Sequence, residues 1–556
     1  MFRPEPAPLG GSLAWSALVA TLPLIVFFVL LGVVRLKAHW SGLAALATSV
    51  AIAVAVYGMP AGQALNAAAE GAVFGLFPIM WIVVNALWIY RMTVDTGDFE
   101  VLRRSFARIS DDQRLQAIIV AFCFGALLEA LAGFGAPVAI TSVMLIALGF
   151  RPFSAATVAL LANTAPVAFG AMGTPVITLA RLTGLPLDAV SSTVGRQTPV
   201  LALFVPLLLV FLVDGRRGVR ETWLPAVVCG TAFALAQFAC SNHLSVELTD
   251  IVAALAALGA TVLTMRATGI GVPDPAGRPR TAPITAGGSG ETDPAGPERS
   301  EGVPEERDRP GAAVRAYAPY LVIIAVFAVT QLPAVKTLLA HGTVAFPWPG
   351  LHVADPVTGE PVKATVYTFN WLPATGTLLL LSGLITAAAL AVRPAVAARA
   401  YVGTLRQLRW AILTVASVLA LAYVMNLSGE TNTIGRWVAA AGTGLVFLSP
   451  VLGWLGVAVT GSDTSANALF GVLQVTAARS SGLSPELLAS ANSSGGVLGK
   501  MISPQNLAIA AAATGLGGRE SELFRKVLGW SLLLLLMMCC LVALQSTPLL
   551  GWMLPT

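Results

Sequence analysis

Long runs of apolar residues recur along most of this sequence and restrict its fold more than any other feature. Residues 15–34, 373–392 and 527–544 form three such runs. Each is close to the roughly 17 to 25 residues with which a helix crosses the hydrocarbon core of a bilayer. A chain in lipid must satisfy its backbone hydrogen bonds internally, and helices do so. We therefore expect an all-α polytopic membrane protein.

Composition supports a chain that lies mainly in lipid. Of its 556 residues, 11% are charged and 56% are hydrophobic, whereas soluble domains carry about 25% charged residues. The net charge of +5 does not indicate nucleic acid, because most cations flank apolar runs and set their orientation. The five cysteines lie in or beside apolar runs without CxxC spacing, so no disulfide, metal or cofactor is expected.

The apolar runs divide the chain into two halves. Spans are predicted near residues 15–34, 40–58, 71–90, 115–132, 198–213, 223–240, 248–265, 317–332, 373–392, 408–425, 434–448 and 527–544. Interrupted regions lie at 133–185 and 450–517, and the polar stretch 333–372 is interpreted as an interfacial loop. The predicted domains are a first transmembrane repeat (1–266), a disordered cytoplasmic linker (267–313) and a second transmembrane repeat (314–556).

Counting Lys and Arg places the basic loops on one side of the membrane. That side is the cytoplasmic one by the positive-inside rule, and both termini then lie outside. Arg181 and Arg196 are exceptions, because the predicted topology does not place them on the cytoplasmic side. They would lie either on the outer side or in a re-entrant pocket.

A repeat joins the two interrupted regions. At a constant offset of 329, Ala162, Asn163, Gly170, Met172 and Pro175 reappear as Ala491, Asn492, Gly499, Met501 and Pro504. About thirty residues before each Asn, the apolar run is broken at 133–137 and at 461–465. The predicted topology gives the copies opposite orientations, which is typical of secondary transporters. We therefore predict two inverted-topology repeats, each with broken or re-entrant helices at the membrane midplane, and a ligand site where these helices are broken. The alternative is that the small residues only permit close helix packing.

Four segments carry a family resemblance: LLEALAGFGAPVAITSVML, LLANTAPVAFGAMGTPV, VTGSDTSANALFGVLQV and ANSSGGVLGKMISPQNLAIAAAATGL. They resemble the corresponding stretches of the lactate permease family. The resemblance implies proton-coupled uptake of lactate, glycolate or related 2-hydroxy monocarboxylates across a bacterial inner membrane. It also implies kinship to the ion transporter superfamily, in which a mobile domain with two helical hairpins moves against a scaffold, commonly in homodimers.

Three charged residues at the interruptions are candidates for binding and coupling. Lys500 is the lone basic residue of the segment 489–518 and would clamp a carboxylate, unless it snorkels to an interface. Asp463 and Glu129 are isolated acids beside the breaks and could carry the coupled proton. Asp463 could instead cap the following helix, and Glu129 could make a structural hydrogen bond.

Uncharged residues at the same breaks complete the predicted site. Amides, hydroxyls and exposed backbone could bind carboxylate and hydroxyl oxygens, or could satisfy the broken helices themselves. This set consists of Asn163, Thr164, Asn467, Asn492, Ser493, Ser494, Gly133, Gly135, Ser462 and Thr464.

Other function classes remain as alternatives. An enzyme is not indicated, because the sequence contains no HExxH, no GxSxG and no clustered His and Cys residues. Hydropathy alone does not separate a carrier from an anion channel. Among carriers, the alternative is a sodium-coupled di- or tricarboxylate transporter, which should need more cations than Lys500.

Overall fold

The helices and strands follow the apolar pattern closely. The computed structural model describes residues 1–133, 135–271, 312–330, 332–354 and 360–554. The first half contains α1 (Leu13–Ala20), α2 (Leu22–Phe28), α3 (Ala38–Ala55), α4 (Ala61–Phe74), α5 (Trp81–Asp95), α6 (Asp98–Ala107), α7 (Gln113–Gln116), α8 (Gly125–Ala132), α9 (Ala136–Ala147), α10 (Pro152–Ala162), α11 (Gly170–Thr183), α12 (Leu187–His243) and α13 (Thr249–Thr268). The second half contains α14 (Ala312–Thr330), α15 (Pro333–Ala340), β1 (Thr343–Pro347), β2 (Val366–Asn370), α16 (Thr375–Ala389), α17 (Pro394–Ser428), α18 (Glu430–Val438), α19 (Gly444–Thr460), α20 (Asp463–Ser480), α21 (Pro485–Gly499), α22 (Pro504–Ala513) and α23 (Glu520–Gln545).

Within the described ranges, eight helices are long and apolar enough to cross a membrane, or ten if each of two bent pairs forms one span. Large apolar side chains on their outer surfaces, such as Leu235 and Leu263, are exposed. This exposure suits contact with lipid, in which apolar side chains need no burial. The chain is therefore an all-α polytopic membrane protein, with one small antiparallel hairpin of β1 and β2.

Two segments differ from the sequence-based expectations, and a third is not covered by the structure. The predicted span 434–448 is wrong, because α18 ends at Val438 and α19 begins only at Gly444, with Gly442 in the left-handed region (φ 58°) between them. The predicted loop 333–372 contains α15 and the β-hairpin. Most of the predicted linker, residues 272–311, lies outside the described residues.

The first interrupted region begins with a helical hairpin. A π-helical turn, Ala117–Phe124, joins α7 to α8, and together they form one arm of the hairpin. The other arm, α9, runs back, since the Gln113 amide donates to the Leu148 carbonyl at 3.5 Å. Gly135 lies in the turn between the arms with φ 86°, a conformation that glycine adopts without strain.

A broken helix follows this hairpin. Helix α10 ends at Ala162, and the chain bends by 63° before a short 3₁₀ turn, Val167–Phe169, leads into α11. At the start of α11, Ala171 and Met172 have left-handed φ values of 43° and 58°. Such conformations cost on the order of 1–3 kcal/mol each in a residue other than glycine and are concentrated at functional sites.

The second interrupted region repeats this order of elements. Helices α19 and α20 form a hairpin, and the Ser481 hydroxyl donates to the Ala439 carbonyl at 3.2 Å, so α20 ends near the start of α19. Helix α21 then stops at Gly499, and a 3₁₀ turn over Lys500–Ile502 separates it from α22. Ser503 caps α22, with Pro504 at the first helical position where proline is favoured.

Contacts between loops show which helix ends lie on the same side of the molecule. The Arg114 guanidinium pairs with Asp214 at 3.2 Å and with Glu221 at 2.5 Å. The loop before Arg114 and the turn that carries Asp214 and Glu221 are therefore in contact, and the Lys and Arg count assigns both to the same side. Helix α12 is broken at Asp214, Gly215 and Thr222, where it meets this cluster, and its two ends lie together, since Ser191 donates to the Ser241 carbonyl at 2.8 Å. Arg196 lies on the side away from the cluster and donates to the Met553 carbonyl at 2.8 Å.

Candidate substrate site

The interruptions of both halves meet around one small cavity of about 40 Å³. Its polar and glycine lining comes from both regions: Glu129, Gly133, Gly170 and Thr174 from the first, and Gly461, Ser462, Asp463, Thr464 and Lys500 from the second. Breaks at membrane depth are tolerated where they line a cavity or are buried in protein. The two sequence copies thus contribute to a single site.

A buried ion pair joins the two regions across this cavity. The Lys500 Nζ lies 2.5 Å from the Glu129 Oε1, and the two side chains are 7% and 4% exposed. Asn163 donates to the other carboxylate oxygen, Oε2, at 2.9 Å. Lys500 therefore does not snorkel to an interface. An uncompensated charge at such depth would be costly, so each partner stabilises the other.

Gly170 makes room for this carboxylate. A Cβ atom at Gly170 would lie 2.8 Å from Glu129 Oε1 and 3.0 Å from its Cγ, which is closer than van der Waals contact allows. The glycine at the repeat position thus allows the backbone of the first broken helix to lie directly against Glu129. This close approach explains why a glycine stands at position 170 of the repeat.

Asp463 lies at the second hairpin turn, at the start of α20. Its Oδ2 accepts hydrogen bonds from Ser493 at 2.6 Å and from Asn467 at 3.4 Å. Its Oδ1 is buried and has no hydrogen-bond partner among the described residues. Ser462 caps α20, since its hydroxyl accepts from the Ser465 amide. The alternative interpretation of Asp463 as the cap is therefore wrong.

An amide network lies behind the cavity wall. Asn467 donates to Ser493 at 3.1 Å and to the Pro175 carbonyl at 3.2 Å. Asn492 donates to the Asn467 side-chain oxygen at 2.9 Å. Through Pro175, this network connects the broken helix of the first half to the second hairpin.

The predicted binding residues therefore separate into two groups. Lys500, Gly133, Ser462 and Thr464 line the cavity, as do both predicted coupling acids. The others lie outside its lining. Asn163, Asn467, Asn492 and Ser493 bond to residues around it, Thr164 donates to the Leu161 carbonyl, and Gly135 packs near Ile509. Ser494 is buried and has no hydrogen-bond partner within the described ranges.

Asp250 is an acid near the site that sequence reasoning missed. It is fully buried, and neither carboxylate oxygen has a hydrogen-bond partner among the described residues. Gln237 is adjacent to it, and Glu129 and Lys500 lie within electrostatic range. A buried carboxyl group with so few partners is costly, which makes Asp250 a further candidate functional residue beside Glu129. The sequence signal was weak because Asp250 stands at the start of a predicted span, where acids are common.

Comparisons with known proteins agree over nearly the whole chain. The L-lactate permease family matches residues 16–549. The chain is 42% identical over 575 residues to the L-lactate permease of Bacillus subtilis (strain 168), covering 99% of each protein. It is 42% identical over 557 residues to the glycolate permease GlcA of Escherichia coli (strain K12), covering 97% of each. Among solved structures, Neisseria gonorrhoeae MtrF is similar at a TM-score of 0.46 and 14% identity, over 87% of this chain and 84% of that one. This chain belongs to the L-lactate permease family.

Proposed function

We propose that the chain imports L-lactate, and related short 2-hydroxy monocarboxylates such as glycolate, across a bacterial inner membrane by proton symport. The names of its relatives, L-lactate permease and glycolate permease, support this substrate class. The observation that carries the proposal is the buried pair of Lys500 and Glu129 where the two interrupted regions meet.

The substrate carboxylate and Glu129 compete for one ammonium group. Without substrate, Lys500 is paired with Glu129. A lactate carboxylate that binds Lys500 takes the place of the Glu129 carboxylate. Glu129 would then be a buried anion without its counter-ion, and binding a proton removes this cost. One lactate and one proton enter together, and the net charge of the cavity does not change.

Asp463 is the other candidate for the coupled proton. Its donors, Ser493 and Asn467, belong to the network behind the cavity and do not depend on Lys500. A substrate at Lys500 would leave these hydrogen bonds in place. We therefore assign the exchangeable proton to Glu129 and a constant protonation state to Asp463.

The cavity suits a small anion with one carboxylate. Lys500 is the single basic residue that lines it among the described residues. A di- or tricarboxylate would leave further charges without partners, which favours a monocarboxylate over the sodium-coupled alternative. Thr464 also lines the cavity, and its hydroxyl has no hydrogen bond within the described ranges. We assign it to the 2-hydroxyl group of the substrate.

Alternating access would follow from two hairpins that enter from opposite faces. The contact of Gln113 with Leu148 places both ends of the first hairpin together, and that of Ser481 with Ala439 does so for the second. Gln113 adjoins the basic Arg114 cluster, which the Lys and Arg count assigns to the cytoplasm. We propose inverted repeats that alternately expose the shared cavity, in a homodimer as the family resemblance implies.

Uptake into proteoliposomes tests this function. Purified protein would be supplied with labelled lactate, glycolate, pyruvate or citrate, under a proton or a sodium gradient imposed separately. We expect accumulation of lactate and glycolate under the proton gradient and none of citrate. Accumulation that needs sodium would contradict proton coupling. Flux that never exceeds the equilibrium distribution would indicate an anion channel instead.

A further inference from the structure

A second and larger cavity lies at the far end of α11 from the substrate site. It has a volume of about 460 Å³, and Arg181, Glu247, Asn370 and Thr375 line it. The first residues of α12 also belong to its wall. The break in the middle of α12 carries Asp214 of the Arg114 cluster, so this cavity is at the opposite end of the molecule. We call it the outer cavity.

Arg181 brings a positive charge without a partner into the outer cavity. Its guanidinium makes no ion pair and no hydrogen bond with the described residues. Its side chain lines the cavity and is exposed there. Glu247 lines the same cavity and attracts Arg181 electrostatically, but the two form no ion pair in the described part of the chain. The Glu247 carboxylate oxygens accept from Ser245 at 2.7 Å and from Thr375 at 3.0 Å.

Arg196 provides an instructive contrast. It lies near the same end of the molecule, and it too did not fit the count of cations. Its guanidinium, however, donates to Asn242 at 2.9 Å and to the Met553 carbonyl at 2.8 Å. Arg196 therefore has structural partners, whereas Arg181 has a cavity in front of it.

Helix α11 connects the outer cavity to the substrate site. Thr174 and Pro175 line the small inner cavity, and Ile177, Ala180 and Arg181 line the outer one. Seven residues separate Thr174 from Arg181, which corresponds to about 10 Å along a helix. An anion held at Arg181 would thus be one short step from Lys500.

We propose that Arg181 forms an outer subsite that binds the carboxylate of a short organic anion before it enters the inner cavity. The inference rests on the proposed function for the identity of its ligand. A cation with no partner in a protein-walled cavity concentrates anions and raises their association rate, and arginine matches carboxylate geometry through two donors. Arg181 binds the substrate first, at the outer cavity, and Lys500 binds it during translocation.

Chemical labelling tests the subsite without transport. Phenylglyoxal, which modifies accessible guanidinium groups, would be added to purified protein, and the modification rate of Arg181 would be measured by mass spectrometry. We expect lactate to slow the reaction on the order of tenfold, while neutral lactamide and sodium chloride of equal ionic strength do not. The same protection should persist in Lys500→Gln, in which the inner site has lost its cation. Arg196 serves as the internal control.

Uptake kinetics provide the second readout. Arg181→Gln should raise the apparent KM for lactate on the order of tenfold, with a maximal rate within about twofold of the unaltered protein. Arg181→Lys should recover most of this loss, and Arg196→Gln should leave the KM unchanged. Absence of protection at Arg181, or protection that disappears in Lys500→Gln, would overturn the subsite even if lactate is transported. Protection without any lactate uptake would instead overturn the proposed function and leave the subsite standing.

Discussion

At the scale of single residues, the proposed function rests on one buried ion pair. Glu129 and Lys500 are 371 residues apart in sequence and 2.5 Å apart in the structure. Each is isolated among apolar neighbours in its own segment. A lysine whose counter-ion is a carboxylate can accept another carboxylate in exchange, provided that the first becomes neutral. In the proposed mechanism, binding and coupling therefore depend on the same two side chains.

Glu129→Gln should separate transport from its driving force. The amide keeps the shape of the side chain but cannot exchange a proton, so lactate can reach Lys500 without coupling. We expect accumulation driven by a pH gradient to fall at least about tenfold, while lactate counterflow persists. Both are measured in proteoliposomes. Glu430→Gln is the matched control, since Glu430 is a fully buried acid that bonds to Ser49 and Ser428 outside the cavity. Unchanged pH-driven accumulation in Glu129→Gln would refute the assignment of the proton.

Thr464→Val should reduce the preference for 2-hydroxy acids. The substitution keeps the branched shape and removes only the hydroxyl that we assign to the substrate. Loss of one hydrogen bond of about 1 kcal/mol predicts a roughly fivefold higher KM for lactate, with little change for propionate, which has no 2-hydroxyl. Competition assays with both acids measure this ratio, and Thr464→Ser should preserve it. An equal loss for both acids would indicate a packing role for Thr464 instead.

At the scale of elements, glycines allow the second hairpin and the second broken helix to pack closely. A Cβ atom at Gly453 would meet the Asn492 carbonyl, one at Gly495 would meet that of Pro450, and one at Gly499 would meet that of Trp454. These contacts are with backbone atoms, which cannot turn away as a side chain could. Helices α19 and α21 therefore approach through their glycine faces, as small residues permit in membranes.

Gly453→Ala should destabilise the protein for this reason. Overpacking of a tight interior costs about 1–3 kcal/mol, and the effect would appear as a lower midpoint of thermal unfolding in detergent. Gly259→Ala is the control, because nothing lies within 4 Å of its added Cβ in the middle of α13. Alanine favours a helix there, so its midpoint should stay equal or rise slightly. Equal midpoints for both variants would argue against close packing of α19 on α21.

Much of this arrangement could be predicted from local sequence, and some could not. Gly, Pro and hydroxyl residues at matched positions located both interruptions, because they break helices through their own chemistry. The small residues around Gly442 split a predicted span, since an apolar run does not reveal where it turns. Asn492 was expected in the binding set but lies behind the cavity wall. Which polar groups face a cavity depends on tertiary packing.

At the scale of the whole molecule, both copies of the repeat contribute to one cavity. Each copy consists of a helical hairpin followed by a broken helix. Contacts such as that of Arg114 with Asp214 hold loops of one end together. The family resemblance anticipated hairpins, but the partner of Lys500 could not be derived from the sequence. No local pattern encodes a pairing over 371 residues.

The proposed inverted repeats predict that the ends of the two hairpins are accessible from opposite faces of the membrane. Arg151 follows the first hairpin, Ser480 is the last residue of the second, and both are exposed. Each would be replaced by cysteine, in the variants Arg151→Cys and Ser480→Cys. In a background without the five native cysteines, a membrane-impermeant maleimide added to right-side-out vesicles should label Ser480→Cys and not Arg151→Cys. Inverted vesicles should reverse the result. Labelling of both from the same face would show that the repeats are not inverted.

The most direct test of exchange between lactate and a proton at Lys500 and Glu129 is the steady-state lactate gradient in proteoliposomes at zero membrane potential. With one proton per lactate, each unit of pH difference, alkaline inside, should give about tenfold accumulation. Lys500→Gln should show none. A lactate ratio that stays at one across all pH gradients in the unaltered protein would contradict the account.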